Sequence, residues 1–264
     1  MLLTLLRRGA FSGLVGGAIS GLFALLLAEP VMDRAVGLES AREQARQAAR
    51  AAAGLSVEHH VNVFSRHTQH AGLLAATTAT GIAFGVLFGV LYAAVHRTEP
   101  GRDGWRRALT LGGAAWFAVY LVPFVRYPAN PPGVGDPGTI AARTHDYLLA
   151  LAIGIVGTAA ACRLAADLRG RGARPSHRQL AAAGVLLAAL ALSFALPADP
   201  DALDVPAGLL WQFRLLALAT TTVLWAGLTI TFGLLSERAK HQRRRRLPAP
   251  AHRRLRLQRR CPAF

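Results

Sequence analysis

The chain has 264 residues, 53% of them hydrophobic, and a mean hydropathy of +0.33, yet 30 basic side chains against 14 acidic ones give a formal charge of +16. Apolarity and charge segregated this strongly describe membrane spans joined by charged loops and nearly exclude a water-soluble enzyme. Two cysteines, Cys162 inside an apolar run and Cys261 near the end, exclude a disulfide framework.

Six apolar runs approach the length that crosses about 30 Å of hydrocarbon. They are Gly9–Ala28, Ala71–Val95, Ala108–Val125, Tyr147–Ala166, Leu180–Leu196 and Leu209–Leu235. Continuous runs, as opposed to alternating ten-residue segments, point to helices and not to a barrel. The expected fold is therefore an all-α polytopic membrane protein with six transmembrane helices in a domain spanning 1–236. Five spans remain the alternative if the short fifth run lies at the interface.

The first run follows Arg7 and Arg8 and has the look of a signal peptide, but its apolar part is long for a signal core. Gly9, Gly13, Gly17 and Gly21 also recur at every fourth position, a stripe that signal cores do not need. Gly81, Gly85 and Gly89 repeat it in the second run. Glycines spaced by four line one helix face and admit a neighbouring backbone, so these two helices are expected to pack tightly.

Between those runs lies a histidine-rich stretch: His59, His60, His67 and His70. Imidazole is the commonest side-chain ligand for transition metals. On a helix His60 and His67 share a face, with His70 a turn further on, so a first-row divalent ion bridging His67 and His70 is one expectation. Solvated interfacial histidines are the other, since no zinc signature completes the set.

After the third run, four prolines and two glycines in the string from Tyr127 to Pro137 predict a rigid non-helical loop. Irregular backbone near membrane depth belongs in protein or beside a polar cavity. Asn130 and Asp136 there are candidate oxygen ligands; the alternative is a stiff connector. In the last run Gln212 and Arg214 are the clearest polar intrusions, with Asp199, Asp201 and Asp204 as nearby partners for a snorkelling arginine. The segment 237–264 reads as a polybasic tail, disordered and held at anionic lipid, with no aromatic interleaving to suggest nucleic acid.

With six spans, one set of loops carries 21 Arg and Lys and the other 7, which places both termini in the cytoplasm. The outer loops then sum to −3, a field that concentrates cations. No GxxxxGK[ST], HExxH or GxSxG motif is present, so an ATPase in this chain is excluded. His145-Asp146 and the histidine stretch have acid–base potential, yet no nucleophile accompanies them, and an enzyme is not expected.

Three groups of residues carry a resemblance. They are Phe64-Ser65-Arg66 with Gln69, Gly72 and Leu73; the Tyr127 to Pro137 string followed by Thr139, Ile140 and Arg143; and Phe213-Arg214-Leu215 with Trp225 and Gly233. On these the chain resembles CbtA, a family of probable cobalt transporter subunits that are bacterial integral membrane proteins, across most of 1–236. The resemblance implies a metal-ion permease component of the bacterial inner membrane with about five spans. It further implies cobalt uptake for cobalamin synthesis and a small histidine-bearing membrane partner.

The function expected is a membrane subunit that admits Co²⁺, with Ni²⁺ as a second cargo, through the outer histidines, Asn130 and Asp136. No permanently bound cofactor is expected, and assembly into an oligomer stays open. The alternative is a non-conducting anchor that binds another protein through its outer loops.

Overall fold

The structure, a computed structural model, describes residues 2–55, 65–96, 103–132, 134–135, 137–198 and 205–246. Helices account for nearly all of them: α1 (Leu2–Phe23) and α2 (Glu29–Ala52), α3 (Arg66–Val95), α4 (Gly104–Trp116) and α5 (Val122–Arg126), α6 (Ile140–Gly170), α7 (Pro175–Ser193) and α8 (Ala207–Arg246). No strand occurs among the described residues. Five continuous helical stretches, Leu2–Ala52, Arg66–Val95, Gly104–Arg126, Ile140–Gly170 and Ala207–Ala239, are long and apolar enough to cross a membrane.

α7 is not among these five and lies beside them as a further helix. A short turn at Gly172, whose φ of 72° suits glycine, joins it to α6, along which it packs. Its far end meets α5: Arg126 Nη2 donates to the Leu196 carbonyl at 2.5 Å and the Tyr127 hydroxyl to the Pro197 carbonyl at 2.8 Å. The chain therefore returns along α7 to the end it left at the start of α6. At 1.5 Å per residue, 19 residues of helix cover about 28 Å, close to the thickness of the hydrocarbon core.

α1 is built inside out relative to a soluble helix. Its buried residues are Gly9, Ser12, Gly13, Gly16, Gly17, Ser20 and Gly21, while Phe11, Leu14, Ile19 and Leu22 are exposed. Lipid tails are as apolar as leucine, so helices in a membrane gain by close backbone approach and not by hiding leucines. α1 runs antiparallel to α3 with Gly9 opposite Gly85 and Gly13 opposite Gly81; a Cβ at any of the four would overlap the facing carbonyl oxygen. On its other side Gly16 meets Gly227 and the backbone of Leu224 and Leu228 in α8, and Ser20 Oγ donates to the Thr220 carbonyl at 2.8 Å. α1 is thus held between α3 and α8.

Two π-turns interrupt the first and third membrane helices, Ala24–Ala28 and Phe117–Leu121, and both have the same cause. Each is followed by a residue and then a proline, Glu29-Pro30 and Val122-Pro123. A proline ring inside a helix collides with the carbonyl four residues back and cannot donate. The chain widens by one residue instead, so Glu29 N–H donates to Ala24 and Val122 N–H to Phe117, five residues earlier. Each helix continues past its proline, and the residues after it are rotated relative to the face before it.

At the end opposite Glu29, Phe88, Tyr92 and Phe232 close the bundle, with Phe232 wholly buried and its ring 5.1 Å from Phe88, edge to face, and 4.9 Å from Tyr92. α8 carries on into the basic segment beyond 236 as far as Arg246, consistent with the helix propensity of arginine, lysine, glutamine and glutamate.

Candidate metal centre at the Glu29 end

Four side chains from two helices converge where α1 passes into α2. Glu29 opens α2 directly after the π-turn, and Asp33 follows one helical turn later on the same face. Opposite them α3 begins at Ser65, whose Oγ accepts the Thr68 N–H at 3.3 Å as its N-cap, and presents Arg66 and His70 with the same four-residue spacing. Two helix-periodic pairs therefore face each other across the α1–α3 interface that the glycines bring together.

Arg66 Nη2 donates to Glu29 Oε2 at 2.7 Å and also to Asp33 Oδ1, while Nη1 donates to Gln69 Oε1 at 2.5 Å. His70 Nε2 lies 3.3 Å from the same Glu29 oxygen. One ligand atom each from Glu29, Asp33 and His70 can be chosen so that all lie within 4.8 Å of one another. Exposure is graded across the group: the Glu29 side chain is 12% exposed, His70 33% and Asp33 52%, so the site opens on the Asp33 side.

The Nε2 atom of His70 is buried and makes no hydrogen bond among the described residues. A neutral imidazole nitrogen without its proton and a carboxylate oxygen are both acceptors, and a proton on the ring or a cation beside both atoms relieves their facing each other at this distance. Two carboxylates and one imidazole are a donor set that first-row divalent ions accept.

Of the ligands expected from the sequence, His70 joins this group. His67 is exposed and takes no part in it. Asn130 lies elsewhere at the same end, its Oδ1 accepting from Arg214 Nη2 at 2.8 Å, so Arg214 ties the proline-rich string to α8. Gln212 accepts from Arg34 Nη2 at 2.9 Å, linking α2 to α8. His59, His60, Asp136, Asp199, Asp201 and Asp204 lie outside the described residues, as does the tail from 247 onward. Glu29 and Asp33, read from the sequence as outer charge, are the site's principal anions; their i, i+4 spacing matched by Arg66 and His70 was the available signal.

The family model described as probable cobalt transporter subunit (CbtA) matches residues 2–237. The chain belongs to the CbtA family. The match covers every helix described above apart from the last turns of α8, and with five helices able to span a membrane it makes this CbtA member a multi-pass protein of the inner membrane. No curated protein and no solved structure matches.

Proposed function

We propose that this CbtA member admits Co²⁺ to its membrane domain through Glu29, Asp33 and His70, with Ni²⁺ as a chemically similar second cargo. Its membership of a family of cobalt transporter subunits supplies the cargo class. The observation that carries the site is the convergence of two carboxylates on a buried imidazole nitrogen that lacks a hydrogen bond. Asp33, the most exposed of the three, meets the hydrated ion first; Glu29 and His70 replace water as it moves inward. His59 and His60, a few residues before Arg66 in the chain, serve as delivery ligands.

The sidedness rests on the distribution of basic residues, 21 in loops at the opposite end against 7 here, which sets this end outside and both termini in the cytoplasm. The region 1–236 is the transporting unit, and the basic tail grips anionic lipid. Coupling to an energy source and delivery into cobalamin synthesis fall to a membrane partner.

The test is optical. Co²⁺ titrated into the full chain in detergent micelles is expected to give ligand-field absorption distinct from the aqua ion. Glu29→Gln and Asp33→Asn are each expected to weaken binding by about 10-fold to 100-fold, the effect of losing one charged partner at roughly 1.5–3 kcal/mol. Binding that ignores both substitutions contradicts the site.

A second reading, a non-conducting assembly partner, draws on α2. Of its 24 residues only Val31 and Ala35 are buried, so its distal turns project free of the bundle as a surface for another protein.

A further inference from the structure

Arg66 places one nitrogen, Nη2, within hydrogen-bonding reach of both Glu29 Oε2 and Asp33 Oδ1. That is where a cation bridging the two carboxylates sits. The guanidinium is charged at every accessible pH, so the site as folded already holds a cation, tethered to the chain. We propose that Arg66 is a built-in competitor for the divalent ion: metal entry requires its Nη2 to leave the carboxylates, and its return helps expel the ion. This rests on the reading of Glu29, Asp33 and His70 as the metal site and adds how that site is regulated.

Charge decides against simultaneous occupancy. Glu29, Asp33 and Arg66 sum to −1 with His70 neutral. A divalent ion added beside the guanidinium brings the group to +1 and sets two cations against each other near the membrane, whereas the ion without Arg66 leaves it neutral. The oxygens are shared as well, since Glu29 Oε2 is at once the acceptor for Arg66 and the neighbour of His70 Nε2.

Departure has a place to go. Arg66 is the first residue of α3, its side chain is 38% exposed, and Nη1 is already held by Gln69 on the outward side at 2.5 Å. A pivot that keeps the Gln69 bond frees the carboxylates without moving the helix. A permanent high-affinity site would trap its cargo; a tethered cation lowers affinity by the fraction of time it holds the carboxylates.

The experiment is Co²⁺ affinity by calorimetry on the full chain in detergent micelles, comparing the natural sequence with Arg66→Gln, Arg66→Lys and Glu29→Gln. Arg66→Gln is expected to bind about tenfold more tightly, as for a site otherwise free one-tenth of the time. Arg66→Lys keeps the charge without the planar fork and falls between the two; it decides the matter if the glutamine variant does not keep its helicity. Affinity unchanged or weakened in the Arg66 variants, while Glu29→Gln still weakens binding by about tenfold or more, overturns the competition and leaves the site standing. Binding indifferent to Glu29→Gln removes the site reading and this inference with it.

Discussion

Gly85→Val is expected to abolish the membrane-embedded fold, and Gly13→Val to do the same from the other helix. At both positions any Cβ overlaps a carbonyl oxygen of the facing backbone, so the obstruction cannot be relieved by a rotamer change. The helices must separate along their whole length. Separation costs more than the local clash, because the fully buried surface of α1 is all glycine and serine and depends on close backbone approach. Overpacking a tight interface costs about 1–3 kcal/mol per site even where side chains give way, and here the backbone itself must move. Folded yield and thermal melting in detergent measure the effect. By contrast Gly113→Ala and Gly184→Ala, where nothing stands within 4 Å of the added carbon, are expected to melt as the natural chain does. Because Glu29 and Asp33 meet Arg66 and His70 through this same pairing of helices, the glycine variants that retain any fold are also expected to lose Co²⁺ binding.

Phe232→Ala is the second large effect, at the far end. Phe232 is wholly buried in a cluster with Phe88, Tyr92, Ala108 and Leu228, and its ring lies about 5 Å from two other rings. Removing it leaves a void in a place where no hydrophobic drive refills it from lipid. A cost of about 3 kcal/mol is expected, the lower part of the range for deleting a buried phenylalanine, because only packing is lost. A drop in melting temperature with Co²⁺ affinity preserved is the predicted pattern, since this cluster lies at the end opposite the proposed metal site. Leu234→Ala, exposed two residues away, serves as the control with little effect.

The helical architecture was readable from the sequence because length and hydropathy suffice to define a span, and because a four-residue glycine period needs no partner to be recognised. The short fifth run, ambiguous by length, forms α7, which is not among the five helices long and apolar enough to cross a membrane, and the segment after it is tied to Arg126 and Tyr127. The candidate site was only partly suggested by the sequence. His70 stood out by residue type, but Glu29 and Asp33 looked like ordinary loop acids. The π-turn before Pro30 continues the helix through them, and the residue separation of 37 between Glu29 and Arg66 hides the pairing. Arg214 donates to the amide oxygen of Asn130, a partner the sequence did not suggest, while the acids expected near it, Asp199, Asp201 and Asp204, lie outside the described residues. In each case the missing information was which faces meet, a property of packing and not of any one segment.

Cobalt entry through the Glu29, Asp33 and His70 group is our proposal. The most direct measurement is uptake of labelled cobalt by cells lacking other cobalt importers, expressing this chain together with its membrane partner, with Glu29→Gln, Asp33→Asn and His70→Ala compared at equal membrane levels. The account predicts that each substitution lowers uptake at limiting Co²⁺ and that Glu29→Gln with Asp33→Asn together reduce it to the background of cells without the protein. Uptake by the double variant equal to that of the natural chain contradicts the account.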